Sequence, residues 1–469
     1  MTRLRIILLL LCATTQFITA QKVIIYFDDN LSSPPSLSKA ALKYNKDFAY
    51  SFTFDDATND AFTHALPLFQ GGNVQNTTLL PLFFTDGCGN DIPFKGGIAW
   101  NTANPSGMDV HTGEVKDQLT WKQLDTLYDW GWDVLNHSYS HKSRSTTTML
   151  PSDYINEILK NQTAVRANTR KKIEMTVFVV PSGDDNYQNV ALEVGNKIVF
   201  DQSAGVTGYG GLSVEGDVNL NNPKIHRQLL EESLSSLNNL DKAAAKSSPT
   251  THFWYNEFTH HIDQTTGTFT FDVFKNYMQR AANTWGKNGS DRMWMAPLQE
   301  VFEYLVSRQT VKYSTQVVGK TLEISFDLSQ VPTWLRRKTL TLVVNSSINF
   351  SRVDAPPTVT KTFKGIGTTK IVNIDFTNFT GSTAAKDITP PSVFRLFPNP
   401  TGDILTIETL FETKGDIELT VSDSSGKKVK TAHFKENDYN LDVKTLSTGL
   451  YFISLQQGKQ VYTDKFFKK

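Results

Sequence analysis

The sequence predicts an α/β unit of parallel strands, followed by two all-β regions. Three observations carry that reading. Up to Leu305, short apolar runs of strand character alternate with helical patterns. Beyond it, Leu322, Ile324, Phe326 and Leu328 alternate with polar residues, as do Leu340, Leu342 and Val344, which is the period of a half-buried strand. Finally, two polar clusters, Thr53-Phe54-Asp55-Asp56 and Asn136-His137-Ser138-Tyr139-Ser140-His141, each follow a short apolar run. In a parallel barrel or an open α/β sheet the C-terminal ends of strands share one face, so clusters about eighty positions apart can meet there.

Taken in order, Arg3 and Arg5 precede the apolar run Ile6 to Leu11, and small residues follow to Thr19-Ala20. This is the plan of a secretory signal peptide over residues 1–20, with a run too short to span a bilayer. Cys12 lies within it. Cys88 is then the single cysteine of the mature chain, with no intrachain disulfide available and an inert role expected. Phe48-Ala49-Tyr50-Ser51-Phe52 reads as a buried strand ending at Asp55 and Asp56. Leu124, Leu127 and Tyr128 recur at helical spacing, and Trp132-Asp133-Val134-Leu135 is the strand that delivers His137 and His141. Residues 21–308 are assigned to the α/β unit and 309–383 to a small β-domain, in which Trp334 and Tyr313 are expected to pack in the core rather than stack on sugars. Residues 384–392, with Pro390-Pro391, read as a linker, and 393–469 as a β-sandwich with regular turns. The chain has 47 basic and 47 acidic residues, a balance that argues against a nucleic-acid groove or an anionic membrane patch.

An Asp pair alone is often a solvated turn, and two histidines four apart are often surface residues. Together they supply two imidazoles and a carboxylate, a ligand set suited to a borderline divalent metal with positions left for water and substrate. The second carboxylate is then available as a base. The combination points to metal-assisted hydrolysis.

These residues resemble the polysaccharide deacetylases, also called the NodB-homology domain or carbohydrate esterase family four. The resemblance covers roughly residues 45 to 308, including a closing segment Trp294-Met295-Ala296-Pro297-Leu298-Gln299-Glu300-Val301. It implies a distorted (β/α) barrel, Asp55 as general base, and Asp56, His137 and His141 as ligands of one divalent metal, zinc first, with cobalt or nickel as alternatives. It also implies a histidine general acid: His260, in Phe258-Thr259-His260, with His261 in reserve. Two departures stand out. The family's Arg-x-Pro-Tyr-Gly is Val179-Val180-Pro181-Ser182-Gly183 here, after a strand at Met175 to Phe178. The arginine that steadies the base is thus Val179, another group must orient Asp55, and the backbone amide of Ser182 remains as an oxyanion donor. The family's later Asp-rich segment is reduced to Val199-Phe200-Asp201-Gln202, and Asp201 receives no assigned role.

Residues 393–469 resemble a second family, the C-terminal sorting domain of the type IX secretion system, through Phe397-Pro398-Asn399-Pro400-Thr401-Gly402-Asp403, Leu446-Ser447-Thr448-Gly449-Leu450-Tyr451-Phe452 and the basic end Lys465 to Lys469. The two resemblances imply a protein exported to the cell surface or medium that removes acetyl groups from a polysaccharide, with the N-acetyl amide favoured. An acetyl ester hydrolase on plant or algal glycan, or a non-enzymatic glycan-binding protein, are the alternatives. The expected partners are a glycan and the secretion machinery, with no nucleic acid and no integral membrane segment once the signal is removed.

Overall fold

The computed structural model describes residues 21–74, 76–202, 212–215, 224–230, 238–262, 269–378, 394–397, 401–409, 415–423, 427–436, 438–458 and 460–469. The expected signal peptide (1–20) and linker (384–392) lie outside the described residues, as do Pro398 to Pro400 of the sorting motif.

The strand Phe48–Phe54 organises the α/β unit. All seven of its residues are buried, as expected for an aromatic-rich strand covered on both faces. It pairs in parallel with Phe253–Thr259 along its whole length, from Phe253 opposite Phe48 to Thr259 opposite Phe54. Asp55 and His260 therefore leave neighbouring strands at the same level. On its other side it pairs with Met293–Met295 near its start and with Gly97–Trp100 near its end. From there the parallel sheet continues through Asp133–Asn136, Val177–Val179, Ile198–Asp201 and Lys224–His226. The chain then changes partner. After Arg227, Gln228–Leu229 runs parallel to Phe253–Thr259, with Gln228 opposite Glu257, so the segment 224–229 bridges the two edges and rounds the sheet into a nearly closed barrel.

The expected helix forms at Trp121–Asp129. Thr120 caps it: its hydroxyl accepts the Gln123 amide hydrogen at 3.2 Å, and the Gln123 side chain accepts the Thr120 amide at 2.7 Å. Leu124 and Leu127 are buried beneath it.

One boundary differs from the sequence reading. Residues 21–39, assigned there to the α/β unit, lie in the sheets of the following β-region. Gln21–Phe27 pairs antiparallel with Thr321–Asp327 on one side and Phe350–Asp354 on the other, and Ser36–Lys39 pairs with Thr339–Asn345. Hydrogen bonds between segments about three hundred residues apart leave no trace in local periodicity. The β-region shares one continuous apolar core with the barrel, and Trp334 packs there against Phe302, with ring centroids 5.9 Å apart. The Tyr313 hydroxyl donates to the Leu37 carbonyl at 3.0 Å. Buried charges at this junction are paired, as burial demands: Arg337 donates to Asp133 at 2.7 Å, and Lys43 to Glu300 at 2.9 Å. The described strands between Phe394 and Lys468 form a three-stranded and a four-stranded antiparallel sheet around a separate apolar core.

On the barrel wall, Glu257 is wholly buried and accepts hydrogen bonds from three phenols, Tyr50 at 2.5 Å, Tyr255 at 2.9 Å and Tyr277 at 2.9 Å. Burial pushes its pKa from the ordinary 4.5 up to about 7, with the phenols opposing the rise. An acid with a raised folded-state pKa contributes stability that is full below its unfolded pKa and is lost as pH climbs through the folded value. A rise of that size corresponds to about 3 kcal/mol. The Glu257→Gln protein is therefore expected to lose less thermal stability than the parent between about pH 5 and pH 8. Identical slopes for the two proteins would show that Glu257 is already ionised in the fold at the acid end.

Candidate active site and metal centre

Asp55 and Asp56 emerge where Phe48–Phe54 ends in a tight turn. Asp55 is buried, whereas Asp56 is half-buried and has a left-handed backbone at φ 61°. The turn is held from two sides. Thr58 donates its hydroxyl to the His260 carbonyl at 2.6 Å, Asp60 accepts the Ile262 amide, and Leu119 donates to the Ala57 carbonyl at 2.9 Å.

The loop after Asp133–Asn136 is anchored by the helix Pro151–Asn168. Asn136 donates to the Ile158 carbonyl at 2.9 Å and accepts from Asn161 at 2.9 Å. Glu157 accepts both the amide and the hydroxyl of Ser140 at 2.7 Å. These contacts hold Ser138 and His141 in left-handed conformations, at φ 65° and 55°. Ser182, at φ 52°, and Ala57, beside Asp56 at φ 51°, are left-handed too, so five non-glycine residues with uncommon backbone fall in the turns that follow these three strands, a pattern typical of functional sites.

There the ligand atoms of Asp56, His137 and His141 come within 4.8 Å of one another. Asp56 Oδ1 lies 3.5 Å from His137 Nε2 and 3.3 Å from His141 Nε2, yet this oxygen is cut off from solvent and makes no hydrogen bond. On the far side of the His137 ring Nδ1 donates to the Val179 carbonyl at 2.8 Å, which leaves Nε2 as the nitrogen turned toward Asp56, with a lone pair to offer in the neutral tautomer. An anionic oxygen and an imidazole lone pair facing each other without a proton repel unless a cation lies between them. The donor set, two nitrogens and one oxygen, fits a divalent metal with further positions free.

Residues 43–201 match the family model for polysaccharide deacetylases. This region is a polysaccharide deacetylase domain. Residues 395–469 match the secretion system C-terminal sorting domain, of the type IX class. No curated protein matches the chain. Among solved structures, a family 4 carbohydrate esterase from Streptomyces lividans in complex with acetate is 13% identical, with 51% of this chain and 90% of that one covered and a TM-score of 0.30. The Xyl-CE4 domain of a multidomain xylanase from the hindgut metagenome of Trinervitermes trinervoides is 13% identical, with 54% and 89% covered and a TM-score of 0.31. The Streptococcus pyogenes deacetylase PplD, in complex with acetate, is 15% identical, with 38% of this chain covered and a TM-score of 0.26; the match spans 63% of that chain, less than two thirds of its length.

The remaining expected residues fall as follows. His260 is near enough to Asp55, Asp56 and His141 to bias their ionisation, and its carbonyl accepts the Thr58 hydroxyl at 2.6 Å. Ser182 is exposed in the turn Pro181–Gly183, just after Val179, whose carbonyl holds His137. Val179 itself is wholly buried. The group that meets Asp55 instead is Arg227, which the sequence reading did not single out. Arg227 lies in a short polar stretch with no motif around it; the one available signal was the vacancy left by Val179. Its guanidinium donates to Asp55 Oδ1 and Oδ2, each at 2.8 Å, and to the Thr53 hydroxyl at 2.7 Å. Asp201, left without a role, is buried and accepts from the Gln188 side chain, while its carbonyl accepts the Arg227 amide at 2.7 Å.

Electrostatics separate the groups. Burial alone would raise Asp55, but the charge and hydrogen bonds of Arg227 hold its carboxyl below the usual range. His141 is lowered by burial first and by the neighbouring His137 second, which favours the neutral imidazole that a metal needs. The Cys88 thiol, by contrast, is pushed up to about 11 by burial, which removes its nucleophilic thiolate.

Proposed function

We propose that the protein is a secreted, metal-dependent carbohydrate deacetylase that hydrolyses acetyl groups, N-acetyl amides in preference, from a polysaccharide. The observation that carries this reading is the convergence of Asp56, His137 and His141 beside a second, separately held carboxylate, Asp55, in a domain of the deacetylase family. Asp56, His137 and His141 would hold one divalent metal, zinc by its donor set, with cobalt or nickel also suited. When bound, such an ion polarises an acyl oxygen and acidifies water.

The chain's own residues supply the rest. Asp55, ionised and with Oδ2 3.9 Å from His137 Nε2, accepts the proton of the attacking water. The Ser182 backbone N–H donates to the oxyanion that forms at the acetyl carbon, a contribution of about 3 kcal/mol in comparable sites. His260 delivers a proton to the departing nitrogen or oxygen. An amine leaves poorly unless protonated, so a positioned acid at His260 favours the amide over the ester substrate. Acetate release from chitin oligomers, peptidoglycan and acetylated xylan, with added zinc or cobalt, tests the reading. Release from the N-acetylated glycans is expected; silence on all three with metal bound would replace the enzyme with a glycan-binding protein.

The sorting domain, read here as a β-sandwich, directs the protein through type IX secretion after Sec-dependent export, to the surface or medium. Its apolar core is separate from that of the deacetylase domain. Deleting residues 393–469 is therefore expected to leave specific activity unchanged while retaining the protein within the cell envelope. Fractionation with an acetate-release assay on each fraction checks both halves: active protein in the medium would remove the sorting role, and inactive, insoluble protein would tie the segment to the catalytic fold.

A further inference from the structure

We propose that Arg227, carried by the segment that closes the barrel, is the positioning residue of the base Asp55 and takes over the duty vacated at Val179. The inference rests on the assignment of Asp55 as base.

Four features single Arg227 out. Its two terminal nitrogens meet the two oxygens of Asp55 at 2.8 Å each, the fork geometry that fixes a carboxylate in plane as well as in place. The guanidinium is itself 1% exposed and is held independently of Asp55, by the Thr53 hydroxyl at 2.7 Å and by the face of Phe258 with its carbon 4.2 Å from the ring centroid. Its backbone is fixed by the Asp201 carbonyl and lies between two strand pairings, His226 with Asp201 and Gln228 with Glu257. And the residue at the family's arginine position, Val179, offers no side-chain donor.

The consequence concerns geometry. Asp55 Oδ2 is the oxygen nearer the cluster, 3.9 Å from His137 Nε2. An Asp side chain rotates about two bonds, and with both oxygens engaged by a guanidinium that cannot itself move, only one orientation remains. A base displaced by about 1 Å loses on the order of 10²-fold in rate. Lysine, a point donor, can reach one oxygen but cannot hold the plane. The bland alternative is a clip that only seals the barrel; its loss would cost stability and would not be repaired by a free guanidinium ion.

The test compares the full-length parent, Arg227→Ala and Arg227→Lys, each loaded with one equivalent of cobalt, on an acetylated oligosaccharide. In R227A, kcat is expected to fall about 100-fold with KM within about threefold and cobalt still at one per chain. Added guanidinium chloride at sub-denaturing concentration is expected to restore at least about tenfold, where equal sodium chloride does not. R227K is expected to lose turnover without guanidinium rescue, and serves as the folded probe should R227A fail to fold. Turnover within about threefold of the parent, or a loss that follows loss of cobalt or that guanidinium leaves unrepaired in R227A, overturns the proposal. If the parent releases no acetate, the deacetylase reading fails separately. Arg227 is then judged on the crystal structure of R227K: an Asp55 carboxylate turned from its parent orientation supports the positioning role, and an unmoved one overturns it.

Discussion

Replacing His137 with alanine is expected to abolish metal uptake and turnover together. The ring is 2% exposed and fixed by the Val179 carbonyl at 2.8 Å, so its Nε2 is delivered to Asp56 without conformational search. Alanine leaves Asp56 and the more exposed His141 as the remaining pair, too few ligands for a catalytic zinc site of the ordinary three. Elemental analysis of the purified variant gives the answer. One metal per chain in His137→Ala would remove His137 from the ligand set.

Asp55→Asn is expected to separate the two functions of the acidic pair: metal stays at one per chain, and turnover falls by ~10² to 10⁴-fold, the range of a general-base contribution. The amide keeps the size of the carboxylate but cannot take a proton. It also presents an N–H to Arg227, which then loses one of the two acceptors that Asp55 provides, with the Thr53 hydroxyl remaining. Leaving a buried donor unmatched costs about 1–3 kcal/mol, so a lowered melting temperature accompanies the kinetic loss. Steady-state kinetics beside metal analysis checks this, and near-parental turnover would move the base elsewhere.

How much of this was legible beforehand follows from what each residue depends on. Asp55, Asp56, His137 and His141 could be read because each sits at the end of a short apolar run, and strand ends on one face are brought together by any parallel α/β sheet. The alternation at 322–328 and 340–344 likewise reports its own strands, Thr321–Asp327 and Thr339–Asn345. Arg227 could not be read that way. Its partner, 172 residues away, is chosen by a register in which two strand pairings meet at one position, and nothing in Lys224 to Leu229 encodes that register locally. The same limit applies to Gln21–Phe27, whose apolar run says strand but cannot name Thr321–Asp327 as its antiparallel neighbour.

The central claim, that one metal held by Asp56, His137 and His141 makes this chain a deacetylase, is tested most directly by titrating zinc into chelator-stripped protein while measuring acetate release from a chitin oligomer. Release is expected to be near zero without metal and to rise linearly to a break at one equivalent per chain. Release that is unchanged by stripping, or that stays at zero past one bound equivalent, would contradict it.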